Sequence, residues 1–272
     1  MATTPQKVVL ITGASKGLGK VTGSLLQSKG YKVYGTARHP ERYPGHPFPL
    51  LALDLEDEAS VHRVVDELLD KEGRIDVLIN NAGRGMMGPL EESPSQAVKT
   101  LFQTNLFGMM ELTRRVLPHM RRRGGGYVII VSSVAGFAGL PYRGAYSASK
   151  AAVMIIAETL RYELYGSGIR VVDVCPGDII TDIAAGRIYA PVKKNSPYYA
   201  AYERIRRATD SEVHRGLPPE KVARQIEKIL RNPSPRPRYI VAPFTQKILP
   251  LIKALLPGKW FESIIRKHYK IS

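Results

Sequence analysis

Residues 7–12 are a short run of apolar and β-branched side chains, and a turn with three glycines, Gly13, Gly17 and Gly19, joins them to an amphipathic stretch at 19–29. A strand that passes into a helix through such a turn leaves few architectures open. Gly13 permits a tight turn, Gly17 lets backbone come close to a bound group, and Gly19 permits the helix to pack closely on the strand. The free N–H groups at the start of that helix suit an anion such as a pyrophosphate.

The same alternation continues down the chain. Residues 31–37, 49–53, 76–79, 127–131, 169–174 and 239–242 are candidate strands that are apolar on both faces. That pattern belongs to a parallel sheet covered by helices on both sides. Helical periodicity lies between them at 58–71, 94–123, 145–165 and 219–230. The expected fold class is therefore α/β. It is a single doubly wound Rossmann-type domain over 1–242 with a seven-stranded parallel sheet, and ligands at the C-terminal ends of its strands.

Two segments stand outside the alternation. Residues 178–216 are rich in tyrosine and basic side chains and too long for a simple connection, so a substrate lid is expected there. Residues 243–272 form a C-terminal helical extension, basic and amphipathic, broken at Pro257 and Gly258. Leu249, Ile252, Trp260, Phe261 and Ile265 follow helical spacing among Lys253, Lys259, Arg266, Lys267 and Lys270. Such a stripe suits an anionic membrane interface, and equally the protein's own body or a dimer partner. The chain's net charge of +16 is concentrated here: 1–186 hold 21 basic and 18 acidic residues, 187–272 hold 19 and 6. No nucleic-acid-binding motif accompanies that charge, and none is expected as a partner. The single cysteine, Cys175, gives no intrachain disulfide, and no uncharged apolar run is long enough to span a bilayer. A cytoplasmic protein, with peripheral membrane contact open, is the expectation.

Tyr146 and Lys150 are four residues apart in a helical run and so share a face. An ammonium beside a phenol favours phenolate, which suits the pair to proton transfer near neutral pH. The second strand ends at Arg38 without an acid, and Lys16 stands in the glycine turn. Cations there suit the 2′-phosphate of NADP(H), where an acid would suit unphosphorylated ribose. No metal-binding spacing is present among the six scattered histidines.

The glycine spacing, with Thr12 before it, resembles the TGxxxGxG motif of the short-chain dehydrogenase/reductase family, and the resemblance runs over 7–242. It implies that Gly13, Ser15, Lys16, Gly17, Leu18 and Gly19 hold the dinucleotide, with Asp54 and Leu55 at the adenine. Asn81, Ala82 and Gly83 match the NNAG motif lining the cleft. Tyr146 and Lys150 match YxxxK, the tyrosine as general acid/base and the lysine on the nicotinamide ribose. Ser133 matches the serine that binds the substrate oxygen, with adjacent Ser132 as the alternative bearer. Asn105 matches the residue that holds a water in the proton relay. Pro176, Gly177, Ile179 and Thr181 match the segment facing the carboxamide. The resemblance also implies assembly as a homodimer or homotetramer.

A substrate wall is expected from Met86, Met87, Phe137, Leu140, Tyr142, Ile183 and Tyr189, mostly apolar, which suits a steroid-, retinoid- or long-chain-lipid-like alcohol or ketone. The alternative is a cofactor-binding scaffold or sensor without catalysis, against which the intact Ser133, Tyr146 and Lys150 count.

Overall fold

The computed structural model describes residues 6–180, 186–213 and 216–271. Thr181 and Ile183 lie outside the described residues. Seven parallel strands form the main sheet: β1 (Val8–Ile11), β2 (Lys32–Ala37), β3 (Leu50–Ala52), β4 (Val77–Asn80), β6 (Gly126–Val131), β7 (Ile169–Pro176) and β9 (Arg238–Val241). Their order is β3-β2-β1-β4-β6-β7-β9. The order reverses between β1 and β4, where chain leaves toward opposite edges and a crevice opens at the strand ends.

Helices cover both faces, which is why the strands are apolar all round. On one face α2 (Glu58–Glu72), α4 (Gly108–Arg122) and α5 (Gly144–Glu163) pack Val61, Leu112 and Val153 against Leu10, Leu78 and Val128. On the other, α1 (Gly17–Ser28) and α7 (Pro219–Arg231) pack Leu26 and Ile226 against Val9, Ile79 and Val172. Helix ends carry local signals: the Asp57 side chain accepts from Ala59 N at the start of α2, and Gly73 closes it at φ 66°.

The helix expected over 94–123 is interrupted. It divides into α3 (Ser95–Phe102) and α4, joined by a wide π turn, Gln103–Phe107, that contains Asn105. A second, two-stranded parallel ladder pairs β5 (Met86–Met87) with β8 (Ile188–Tyr189), tying the loop after β4 to residues beyond β7. Beyond β8 lies α6 (Tyr199–Val213), and after β9 come α8 (Phe244–Lys247), α9 (Leu249–Leu255) and α10 (Gly258–His268).

Candidate active site

A cleft of about 980 Å³ opens at the C-terminal ends of the sheet. Its floor is the joined turns after β1 and β4. Thr12 Oγ1 accepts from the backbone N–H groups of Asn81 and Ala82, each at 2.9 Å. Asn81 Nδ2 donates back to Thr12 O at 2.9 Å and Gly13 O at 3.2 Å. Gly13 and Gly17 adopt φ of 63° and 56°, a region that L side chains rarely enter. A Cβ on Gly13 would stand 3.0 Å from the Ala82 Cα, and one on Gly19 would stand 2.5 Å from Gly13 O. Gly19 thus seats α1 on the turn, whereas Gly13, Ser15, Lys16, Gly17 and Leu18 line the cleft. The start of α1 has no side-chain cap and no acid in its first turn, so its N–H groups face the cleft as an anion seat.

At the β2 end Lys16 and Arg38 line the cleft together with Arg42 and Tyr43, two residues the sequence reading did not single out. β2 brings no carboxylate there. Asp54, Leu55, Ala82, Gly83, Pro176, Gly177 and Ile179 complete the same cleft, with Asn81 between the turns. This donor set and its glycine-lined floor fit a phosphorylated dinucleotide: cations at one end, helix N–H groups in the middle, bare backbone where a flat ring would lie.

The proposed chemistry sits at the other end. Tyr146 and Lys150 lie one turn apart on α5, both buried. Lys150 Nζ donates to Val131 O at 3.0 Å, which engages one of its three N–H groups. Asn105 is buried in the π turn with its side chain committed. Its Oδ1 accepts from Arg84 N at 2.7 Å, and its Nδ2 donates to Arg84 O at 3.0 Å and Ser149 Oγ at 3.1 Å. Ser149 Oγ in turn donates to Tyr146 O at 2.8 Å, so the wide turn is locked to the tyrosine's own backbone.

The two serines after β6 differ. Ser132 Oγ donates to Asp173 Oδ1 at 2.5 Å, inside the sheet. Ser133 Oγ accepts from Ala135 N at 3.2 Å at the head of a short 3-10 turn, Val134–Phe137, which leaves its hydrogen for a second partner. Burial, with the Asp173 carboxylate beside it, pushes the Cys175 thiol far up.

Of the expected substrate wall, Met86 and Leu140 line the cleft. Met87, Phe137, Tyr142 and Tyr189 do not. Successive residues of a strand face opposite ways, so Met86 joins Leu101, Ala135 and Tyr146 while Met87 packs with Tyr202 and Ile205. Phe137 lies under the Arg238 guanidinium, 5.2 Å away. Tyr142, at φ 57°, turns edge-on to Tyr202, and the Tyr189 hydroxyl donates to Asp210 Oδ1 at 2.8 Å. Burial and that carboxylate push the Tyr189 phenol up.

Among the described residues α6 adds nothing to the cleft wall. Asp178, Ile179, Gly186, Arg187 and Gly216 from the expected lid line the cleft, and the tail adds Leu249, Ile252, Phe261, Ile265, His268 and Tyr269 as a roof. Lys253 Nζ donates to Phe137 O at 2.8 Å, and Gln246 and Asp178 exchange two hydrogen bonds. The inner face of the amphipathic stripe therefore packs on the body. Its outer face leaves Phe244, Leu251, Leu255 and Trp260 exposed, the last by 66%. No described helix is long and apolar enough to cross a membrane. Away from the cleft, folding brings together Glu58, His62 and Glu111, a grouping invisible in the spacing. Both Glu111 oxygens are taken by Arg114, which makes it an ion-pair network.

The chain is similar to known proteins over most of its length. The family pattern described as short chain dehydrogenase matches residues 7–189. The chain is 36% identical over 266 residues to a 3-ketodihydrosphingosine reductase of Bacteroides thetaiotaomicron, covering 97% of this chain and 98% of that protein. It is 31% identical over 282 residues to an NADPH-dependent 3-dehydrocapnine reductase of Ornithobacterium rhinotracheale, covering 97% and 98%. The crystal structure of a short-chain dehydrogenase from Streptomyces avermitilis superposes with a TM-score of 0.80 at 31% identity, covering 97% of this chain and 99% of that one.

Proposed function

The chain belongs to the short chain dehydrogenase family, and from that premise we propose that it is an NADP(H)-dependent oxidoreductase that interconverts a lipophilic ketone or aldehyde and the alcohol. A long-chain lipid is the favoured substrate. The observation that carries the reading is one cleft with cations Lys16, Arg38 and Arg42 at one end, Ser133, Tyr146 and Lys150 at the other, and an apolar roof from the tail. The relatives named for reduction of a sphingoid ketone and for NADPH dependence support the same substrate class and cofactor.

When bound, the nicotinamide supplies the hydride that forms the new C–H bond at the carbonyl carbon. The Tyr146 hydroxyl gives its proton to the carbonyl oxygen, and Ser133 donates its hydrogen bond to that oxygen as charge develops. Lys150 has two N–H groups left for ribose hydroxyls. The Asn105 side chain is spent on Arg84 and Ser149, so a relay water would be held by its main-chain carbonyl. The apolar tail excludes bulk water from the reacting end.

Members of the family bind small substrates and typically form oligomers. Phe107 and Met110 at the start of α4, with Ile155 and Tyr162 on α5, are exposed apolar side chains that support a homodimer or homotetramer through these helices. The outer face of the tail, apolar and basic, supports peripheral contact with anionic lipid.

The test is consumption of NADPH by the purified protein with long-chain ketones. Turnover is expected with NADPH, and Tyr146→Phe is expected to lower kcat by at least about 1,000-fold while NADPH still binds. Intact turnover in Tyr146→Phe, or no NADPH binding by fluorescence, overturns the reading.

A further inference from the structure

Several cations besides Lys150 line the cleft. Lys16, Arg38 and Arg42 stand at the β2 end, where the proposed cofactor has its phosphates. Arg84 and Arg187 also reach the cleft, but each is answered by a carboxylate, Glu56 at 3.3 Å and Asp210 at 2.5 Å.

Arg143 is different. It lines the cleft half-buried, with its guanidinium carbon 5.4 Å from the centroid of the Tyr146 ring. Among the described residues no carboxylate forms an ion pair with it. Its position at a helix start also works against a cation. It immediately precedes α5, whose first turn holds no acid, and the partial positive charge of a helix start disfavours a cation. An arginine kept there presents up to five N–H donors in a planar fork that matches an oxyanion. Leu140, Ile264 and Ile265 line the same cleft, and such apolar side chains suit an alkyl chain.

We infer that Arg143 is a specificity-determining residue: it pairs with an oxyanionic group, such as a carboxylate or sulfonate, carried by the lipid ketone a short way from the carbonyl that Tyr146 protonates. This deepens, and rests on, the proposed reduction of a lipid ketone in this cleft. The alkyl chain of such a substrate runs beneath α9 and α10, its anion is held by the guanidinium, and its carbonyl is thereby placed against Ser133 and Tyr146. A charge-assisted pair at a half-buried site is stronger and more directional than one at the open surface.

The probe is a long-chain γ-keto fatty acid set against its own methyl ester, with NADPH and the purified protein. The wild type is expected to prefer the acid in kcat/KM. Arg143→Met is expected to lower the acid-to-ester ratio by about 10- to 100-fold, mainly through KM of the acid. Arg143→Lys regains part of it, because charge returns without the fork. An unaltered ratio in Arg143→Met overturns the assignment, as does an equal fall on both substrates, which would make Arg143 a support for Tyr146 instead. A second measurement needs no variant: a saturated fatty acid should inhibit the wild type more strongly than its amide, and equal inhibition overturns the assignment. No NADPH consumption with either ketone overturns the reductase reading itself, whereas turnover of both with an indifferent ratio removes Arg143 alone.

Discussion

Beside the candidate site, one carboxylate is wholly enclosed, and its partner can be removed. Asp173 in β7 is 0% exposed. It accepts from Ser132 Oγ at 2.5 Å, Cys175 Sγ at 3.3 Å and Arg238 Nε at 2.6 Å. Arg238→Met keeps most of the side chain's volume and leaves the carboxylate buried without its counter-charge. Breaking such a pair from one side costs about 3–5 kcal/mol, and the lower end, about 3 kcal/mol, applies because Arg238 itself is 30% exposed. For a domain of this size, each kcal/mol shifts Tm by about 2–4 °C, so the expected fall is about 6–12 °C by circular dichroism. Adding Asp173→Asn removes the stranded charge while its carbonyl oxygen can still accept from Ser132. The double variant is therefore expected to be more stable than Arg238→Met alone. Arg63→Met, which breaks the exposed pair with Asp57, should move Tm by no more than about 2 °C. A fall below about 2 °C in Arg238→Met, or a double variant less stable than the single, would refute the argument that burial of the charge sets the cost.

Cofactor choice should follow the cations at the end of β2. Lys16→Ser with Arg38→Asp removes two charge-assisted contacts worth about 1.5 kcal/mol each at an open site, so the NADPH-over-NADH preference in kcat/KM should fall by about 100-fold. Gly19→Ala places a Cβ 2.5 Å from a backbone oxygen that cannot yield alone. It should cost about 1–3 kcal/mol in urea unfolding and weaken NADPH binding, because the turn that moves is the turn that binds. Acid sensitivity has a definite sign. The Arg114 hydrogen bond, working against burial and aided by His62, holds Glu111 below the usual carboxylate value. For Glu72 burial is the largest influence and acts upward, but hydrogen bonds from Lys32 and Tyr34 outweigh it. Both contributions are present above the unfolded value of about 4.3 and are lost as pH falls through the lower folded values. The denaturation midpoint should therefore drop below about pH 4, and Glu111→Gln should flatten that limb; an unchanged acid limb would contradict the assignment.

What could be read from the residues alone was whatever depends on neighbours along the chain. The turn after β1 needs glycines at fixed offsets, a buried parallel strand needs apolar side chains on both faces, and Tyr146 meets Lys150 because one helical turn separates them. The wide turn at Asn105 was hidden because a π turn has no distinct hydrophobic period. Met87 left the expected pocket wall because β5 pairs with β8 a hundred residues later, and that register points Met86 inward and Met87 away. The tail shows the division most sharply. Its amphipathic stripe is plain in the residues, but a stripe says only that one face must be covered, not by what. Lys253 reaches the Phe137 carbonyl 116 residues earlier, and that long-range closure makes the tail the roof of the cleft. The same holds for charge. The count along the chain places the basic excess in the last third, yet which cations find a carboxylate depends on contacts between distant segments. Folding pairs Arg187 with Asp210 and Arg238 with Asp173, and leaves Arg143 facing the cleft beside Tyr146.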